Sequence, residues 1–180
     1  ALTSEFDNKV ALAQGLTQWG EVSEERIWDN ISYFLREVIP VADKYNIQMA
    51  LHPDDPPLSP LRGIARIVVS ARNYRRIMDM VPSPLNVITF CQANFLAMGE
   101  DIEALAKEWC AQKKIFFVHF RDVVAKPGYF RETFHDNGPT DMARMLQIYH
   151  KAGFRGPMRP DHAPTLEGEP NDVPGYAMQG

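Results

Sequence analysis

The chain has 180 residues, of which 45% are hydrophobic and 23% are charged, a composition typical of a globular domain. Its formal net charge of −4 argues against a nucleic-acid partner, which would require a clustered excess of basic residues. No apolar run reaches the roughly 18–20 residues of a membrane span, so we expect no membrane partner either. Two cysteines do not make a disulfide scaffold, which favours a reducing compartment and predicts a cytoplasmic protein.

Helical and strand-like patterns alternate along the chain. Residues 1–22 predict an inserted helix or loop region before the first complete helix. That helix begins at Ser23, an N-cap residue followed by Glu24 and Glu25, whose carboxylates favour a helix N-terminus. Pro40 lies inside it and should kink or split it. The helix is predicted to lie on a core through its apolar positions Ile27, Trp28, Ile31, Phe34, Leu35, Val38, Val41, Ala42 and Tyr45.

Four strand-like runs follow, and helical stripes separate them. The alternation of helices and strands is typical of parallel βαβ units, in which helices cover the sheet. The sequence therefore predicts a single α/β domain over residues 1–180. The strand-like runs are residues 47–52, 85–91, 115–121 and 157–162, further helices are expected after Ser70, Asp101 and Asp141, and residues 122–138 are predicted to form a long loop.

Each of the four predicted strands ends in a residue that can bind a metal ion. These residues are His52, Cys91, His119 and the pair Asp161-His162. Ligands of parallel α/β folds bind at the carboxyl ends of the strands, so neighbouring strands would bring these side chains together. A lone histidine at a strand end is more often structural, but four such ends in succession favour a metal site.

The strand periodicity and the ligand types narrow this site. His119 and Arg121 are two residues apart and should share a face of the sheet. Asp161 and His162 are adjacent and should diverge unless the strand has already ended. We therefore assign Asp161 as the ligand and His162 as a neighbouring or catalytic group. Imidazole, thiolate and carboxylate together exclude Mg²⁺ and Ca²⁺ as preferred metals and leave Zn, Mn, Fe, Co or Ni.

Other reactive residues outside this set favour simpler roles. Cys110 is predicted to be a small buried residue of a helix, and His135 and His150 to be solvated. Asp54 and Asp55 lie between prolines just after the first predicted strand, at the expected mouth of the site. The sequence has no phosphate-binding glycine loop and no Gly-x-Ser-x-Gly elbow. It therefore gives no support for a nucleotide cofactor or a serine nucleophile.

The motifs at the strand ends resemble those of mannonate dehydratases. The resemblance covers essentially the whole chain, in order and with compatible spacing. The motifs are His52-Pro53-Asp54-Asp55-Pro56-Pro57, Thr89-Phe90-Cys91-Gln92, Val118-His119-Phe120-Arg121-Asp122 and Arg159-Pro160-Asp161-His162, with supporting stretches at Phe134-His135-Asp136 and Pro174-Gly175-Tyr176.

The resemblance implies a (β/α)8 TIM barrel of the xylose-isomerase-like kind. It also implies elimination of water from D-mannonate to give 2-keto-3-deoxy-D-gluconate in hexuronate breakdown, with Mn²⁺ or Fe²⁺ as the usual cofactor. Arg121 would hold the substrate's carboxylate or a hydroxyl, with Asp54 and Asp55 as further substrate-binding residues. His162 and Tyr176 would be the acid and base candidates, in an order left open. The metal ligands implied are His52, Cys91, His119 and Asp161.

The resemblance covers only the second half of the family's chains, which are about twice as long, and four strands are predicted where a barrel has eight. We therefore expect four βα units of a barrel, from a truncated or a naturally short chain. A missing N-terminal half would complete them, or a homo-oligomer would form. A half-barrel has two open sheet edges, which favour such pairing.

Two other functions stay open on the sequence alone. The first is another metal-dependent enzyme on the same barrel, such as a sugar isomerase or epimerase, whose site would also lie at the strand ends. The second is a catalytically silent half-barrel that acts as a fragment, a subunit or an interaction module. The His-Pro-Asp-Asp-Pro-Pro motif and the cysteine argue against the first alternative, and the intact set of site residues argues against the second.

Overall fold

The computed structural model describes residues 4–162, 164, 165 and 168 of the chain. Strands and helices alternate over most of this length. In chain order the elements are β1 (Glu5–Asp7), α1 (Asn8–Leu12), α2 (Glu24–Tyr45), β2 (Met49–Leu51), α3 (Ala71–Met80), β3 (Asn86–Cys91), α4 (Gln92–Ala97), α5 (Ile102–Ala111), β4 (Ile115–His119), β5 (Val123–Lys126), β6 (Tyr129–Glu132), α6 (Met142–Lys151) and β7 (Met158–Arg159).

A four-stranded parallel sheet organises the fold. Its strands lie side by side in the order β2-β3-β4-β7, which is also their order along the chain. Helix α3 connects the first pair of strands, α5 lies between β3 and β4, and α6 precedes β7. The predicted α/β fold with four parallel strands is confirmed. All four strands therefore have their carboxyl ends at the same edge of the sheet.

Side-chain caps start the long helices where the sequence predicts them. Ser23 and Ser70 each accept a hydrogen bond from the backbone N–H three residues later, at 3.3 and 3.2 Å. Asp101 and Asp141 cap α5 and α6 in the same way. Each cap satisfies one of the unpaired N–H groups of a first helical turn. Within the described part of the chain, no helix is both long enough and apolar enough to cross a membrane.

Helix α2 runs as one helix across Pro40, so the predicted split does not occur. Packing holds it on both sides of the proline, through the buried residues Trp28, Leu35, Ile39 and Ala42. The predicted apolar stripe is wider than the face that is buried. Phe34, Val41 and Tyr45 are 48%, 54% and 62% exposed, because no element of the described chain lies over that side of the helix.

Residues 122–138, predicted as a long loop, contain a β-hairpin instead. Strands β5 and β6 pair antiparallel with Lys126 opposite Tyr129, and β1 joins β6 to complete a three-stranded sheet. Pro127 and Gly128 form the turn, in which Gly128 takes a positive φ of 76°. The loop prediction was wrong because it overlooked the Pro127-Gly128 turn, which separates two short runs of strand-forming residues. The pairing with β1, more than a hundred residues away along the chain, leaves no local signal in the sequence.

Aromatic side chains fill the layer between the parallel sheet and its helices. Phe90 of β3 is fully buried, and its ring centroid lies 4.9 Å from that of Phe95 on α4 and 5.9 Å from that of Trp109 on α5. Successive residues of a strand face opposite sides of the sheet. Cys91, the next residue, therefore points away from this core and toward the opposite face.

Candidate metal centre

Four potential ligands meet at the carboxyl edge of the parallel sheet. His52 directly follows β2, Cys91 ends β3, His119 ends β4 and Asp161 lies two residues beyond β7. One ligand atom from each residue lies within 4.8 Å of those of the other three. The parallel register explains this convergence, because Cys91 pairs with His119 and His119 with Arg159. The predicted gathering of these side chains is therefore present in the structure.

The buried Nδ1 atom of His119 indicates that a cation fits between these side chains. It lies 3.1 Å from Oδ2 of Asp161, yet it has no hydrogen-bond partner, so the two atoms are close without the geometry of a hydrogen bond. A buried polar atom without a partner is costly in a folded protein. An ion coordinated by both atoms would satisfy the imidazole lone pair and the carboxylate together.

His52 is held in the form that binds metals. Its Nδ1 donates a hydrogen bond to the carbonyl of Pro53 at 2.7 Å. A carbonyl oxygen only accepts, so Nδ1 carries the proton and Nε2 keeps its lone pair. Burial lowers the pKa of His52, although the Pro53 carbonyl works in the opposite direction, and the lower pKa favours the neutral imidazole. Its ring centroid lies 4.9 Å from that of His119.

Cys91 is fully buried and protonated without a metal. Burial raises the pKa of its thiol to about 11, even though the Arg121 guanidinium acts to lower it. The Sγ atom donates to Oδ1 of Asn94 at 2.9 Å and accepts from Nη1 of Arg121 at 3.4 Å. A bound cation would supply the positive charge that the thiolate needs.

Asp161 carries its negative charge within this cluster. Burial alone would raise the pKa of its carboxyl, but the neighbouring His119 imidazole and the hydrogen bond from Arg159 hold that pKa well below its ordinary value. Nη2 of Arg159 contacts Oδ1 of Asp161 at 2.5 Å, so Oδ2 is the oxygen that faces the other ligands. The four residues together offer two imidazoles, one thiolate and one carboxylate, which suits a transition metal or zinc rather than Mg²⁺ or Ca²⁺.

Arg121 lies behind the ligands and connects them to a second carboxylate. Its side chain is only 2% exposed and makes a two-pronged contact with Glu132 of β6 through Nε and Nη2. Nη1 donates to Oδ2 of Asp55 and to Oδ1 of Asn94, both at 3.1 Å. Burial would lower the pKa of this guanidinium, but its hydrogen bonds with Glu132 raise it above its ordinary value. Arg121 therefore places a permanent positive charge beside the thiol of Cys91.

The two predicted acidic residues of the proline-rich loop have different surroundings. Asp55 contacts Arg121, as described above, and lies next to the ligand cluster. Asp54 uses both carboxylate oxygens within its own loop, accepting from Nε of Arg66 at 3.0 Å and from the backbone N–H of Val68 at 2.9 Å. Arg66 also donates to the carbonyls of Asp55 and Pro56, so it ties the loop together.

Of the two predicted acid and base candidates, His162 lies within the described residues, beside Asp161. The exposed His162 has Nε2 3.8 Å from Oδ2 of Asp161. Strand β7 has already ended at Arg159, and the backbone of His162 has a positive φ of 41°. The alternation of a strand therefore does not apply here, and the side chains of Asp161 and His162 do not diverge. Tyr176 lies outside the described residues.

Sequence reasoning missed the residues that support the ligands: Arg66, Asn94, Glu132 and Arg159. One signal for Glu132 was available. The Pro127-Gly128 turn separates two short runs of strand-forming residues, which is the pattern of a hairpin, and a buried arginine requires an acidic partner. The side-chain contacts of Arg66 and Asn94 bridge distant parts of the chain, and no local pattern indicates them.

Comparison with known proteins identifies the family. The family model described as D-mannonate dehydratase (UxuA) matches residues 3–180. The chain belongs to the D-mannonate dehydratase family. Mannonate dehydratase 2 of Halalkalibacterium halodurans is 38% identical over 167 residues, which are 91% of this chain and 48% of that protein. The mannonate dehydratase of Bacillus subtilis is 38% identical over 161 residues, or 87% of this chain and 44% of that protein.

Solved structures show the same relationship to mannonate dehydratases. The mannonate dehydratase of Streptococcus suis serotype 2 is similar, with a TM-score of 0.79 and 32% identity over 86% of this chain and 45% of that one. An IolI protein with a bound zinc atom gives a TM-score of 0.55 at 19% identity, a likeness of fold alone. The predicted family and barrel class are therefore confirmed. The chain spans about half the length of the curated relatives that it matches.

Proposed function

We propose that the protein acts in the dehydration of D-mannonate to 2-keto-3-deoxy-D-gluconate, a step of hexuronate breakdown. The observation that carries this proposal is the convergence of four metal-binding atoms within 4.8 Å, at the carboxyl edge of the sheet, in a chain of the mannonate dehydratase family. The mixed nitrogen, sulfur and oxygen donors support a divalent cation, and we propose Mn²⁺ or Fe²⁺. We propose His52, Cys91, His119 and Asp161 as its ligands.

The chemistry of the substrate defines what the site has to do. D-mannonate carries a carboxylate at C1 and hydroxyls from C2 onward, and loss of water requires removal of the C2 proton and departure of the C3 hydroxyl. The bound cation would act as a Lewis acid that stabilises the negative charge developing next to the carboxylate. The protein must supply a base for the C2 proton and an acid for the leaving hydroxyl.

We propose His162 and Tyr176 for these two proton transfers. The exposed imidazole of His162, beside Asp161, lies close enough to the ligand cluster to reach a bound substrate. Asp161 would also stabilise the imidazolium that forms when His162 accepts a proton. One of the two residues would accept the C2 proton, and the other would protonate the leaving C3 hydroxyl.

We propose that the substrate binds through its oxygens beside Arg121, Asp55 and Asp54. Arg121 makes five hydrogen bonds to protein acceptors, and these leave one N–H of Nη2 without an acceptor among the described residues. A substrate oxygen would accept from that N–H or would replace Asp55 as a partner of Arg121. Asp55 would accept a hydrogen bond from a substrate hydroxyl. Asp54 would act mainly by shaping its loop, because both of its oxygens have protein partners.

We also propose a cytoplasmic location and completion of the barrel by further strands. The two edges β2 and β7 of the parallel sheet are unpaired within the described chain, and the chain spans about half of its relatives. Open sheet edges favour pairing with another chain or another segment. A second copy of the chain in a homo-oligomer or an N-terminal half would serve this purpose.

A product assay tests the proposed function. The chain is loaded with Mn²⁺ or Fe²⁺ and incubated with D-mannonate, and the products are separated by chromatography. We expect the keto-deoxy acid, with much lower yield from His162→Phe and Tyr176→Phe variants that still bind metal. An isomerised or epimerised sugar acid would favour the related isomerases. Metal binding with no conversion of any kind would favour a catalytically silent half-barrel.

A further inference from the structure

The side chains around the ligand cluster carry an excess of negative charge, and an anionic substrate would increase that excess. Cys91 as a thiolate and Asp161 as a carboxylate balance a divalent cation. Arg121 then faces two carboxylates, those of Asp55 and Glu132, so this group has one negative charge in excess. A sugar acid brings another negative charge. A further cationic side chain at the open side of the cluster would offset one of these two negative charges and reduce the repulsion.

Arg121 is poorly placed to be that cation. It is almost completely buried and directs hydrogen bonds to Glu132, Asp55, Asn94 and Cys91. Moving it toward a ligand would leave the buried carboxylate of Glu132 without its partner. Breaking a buried ion pair in this way is strongly unfavourable. Its charge is therefore already used within the protein.

Arg159 has the exposure and the free donors that Arg121 lacks. Its side chain is 58% exposed, and Nη2 donates to Oδ1 of Asp161 at 2.5 Å. Among residues 4–162, 164, 165 and 168, no acceptor is hydrogen-bonded to its Nε or Nη1. A guanidinium can present two parallel N–H groups to a carboxylate. Arg159 therefore keeps donors available while it contacts the ligand cluster.

The register of the sheet directs Arg159 to the same face as the ligands. Arg159 of β7 pairs with His119 of β4, and directly paired residues of neighbouring strands face the same side of the sheet. The guanidinium carbon lies 6.0 Å from the ring centroid of Phe117, which is two residues before His119 and on that same face. One carboxylate, that of Asp161, separates the guanidinium from the candidate cation position.

We infer that Arg159 binds the carboxylate of the substrate, while the metal ligands and Arg121 hold the rest of the site in place. This inference rests on the proposed function and adds a specificity residue to it. Arg159 would select sugar acids over uncharged sugars of the same shape. It would also keep Asp161 oriented, since one of its N–H groups stays on Oδ1.

Calorimetric titration of the Mn²⁺-loaded His162→Phe protein, which should bind D-mannonate with little conversion, tests this inference, and this protein is the parent in which the arginine substitutions are made. Two ligands are compared, D-mannonate and D-mannitol, in which an alcohol replaces the carboxylate. We expect the parent protein to bind D-mannonate more tightly than D-mannitol. Arg159→Gln should lower the affinity for D-mannonate about 10- to 100-fold, the range for loss of a charged hydrogen bond, and leave D-mannitol binding nearly unchanged. Arg159→Lys should recover part of the loss.

Two controls separate this role from simple support of Asp161. Mn²⁺ affinity is measured for each variant, and titrations are run at saturating Mn²⁺. Arg155→Gln changes a nearby exposed arginine, which donates a hydrogen bond to the carbonyl of its neighbour Phe154, and this variant should bind both ligands as the parent does. Circular dichroism checks that each variant is folded.

The outcomes distinguish failure of the role inferred for Arg159 from failure of the proposed function. Equal D-mannonate affinity of the parent and Arg159→Gln would overturn the inference and leave the proposed function standing. An effect that disappears at saturating Mn²⁺ would also overturn it, because Arg159 would then act only by positioning Asp161. Failure of the Mn²⁺-loaded parent to bind D-mannonate at all would overturn both the proposed function and the inference.

Discussion

The parallel sheet and the antiparallel sheet contribute to the candidate metal centre in different ways. The parallel sheet delivers the four candidate ligands from the ends of neighbouring strands. The antiparallel sheet delivers no ligand, but its Glu132 holds Arg121, and its Val123 packs beside Cys91. The ends of the parallel strands therefore place the candidate ligands, and the antiparallel sheet contributes one of the contacts that support them. Substitutions can accordingly disturb either the placement or the support while leaving the other in place.

The support from the antiparallel sheet should have the largest effect on stability. Glu132→Gln removes the buried carboxylate that makes the two-pronged contact with Arg121 and leaves the guanidinium paired through Nη1 with the more exposed Asp55. We expect the free energy of unfolding to fall by about 3–5 kcal/mol, measured by urea denaturation. Arg131→Gln, at an exposed position on the same strand, should change it by no more than about 0.5 kcal/mol. Equal values for the two variants would contradict the assigned role of Glu132.

Support within the loop after β2 should have a smaller effect. Arg66→Ala removes the donor that holds Asp54, Asp55 and Pro56 in one arrangement. We expect a loss of about 1.5–3 kcal/mol in the free energy of unfolding, the range for hydrogen bonds to charged groups. Metal affinity should fall too, because the same loop carries His52. The matched control is Arg72→Ala, at an exposed position of α3. A similar loss in both variants would contradict the role of Arg66 in holding this loop.

The candidate ligands of the parallel sheet should make metal affinity depend on pH. Burial raises the pKa of Cys91 to about 11, so near neutral pH a metal must displace the thiol proton to bind. Affinity should therefore increase as the pH rises, by about tenfold per unit where this proton alone is exchanged. Competition with a chelator between about pH 7 and 9 measures the slope. A flat profile, or the same slope in Cys91→Ser, would show that the thiolate is not a ligand.

The sequence predicts the ligands better than their supports, for a physical reason. His52, Cys91, His119 and Asp161 follow strands that alternate with helices, and parallel strands bring their carboxyl ends to one edge of a sheet. Glu132 and Arg66 act through side-chain contacts across 11 and 12 residues of chain. Such contacts depend on the tertiary fold rather than on local periodicity. Of the kink or split expected at Pro40, the split does not occur, because packing on the core holds α2 together.

The central claim is that one cation is held by a thiolate and three other side chains at the carboxyl edge of the parallel sheet. Cobalt loading tests it most directly, because cobalt bound to a thiolate gives a charge-transfer absorption band. The parent protein and Cys110→Ala, which changes the buried cysteine of α5, should bind one equivalent and show the band, whereas Cys91→Ser should lose it. Full cobalt binding and an unchanged band in Cys91→Ser would contradict the account.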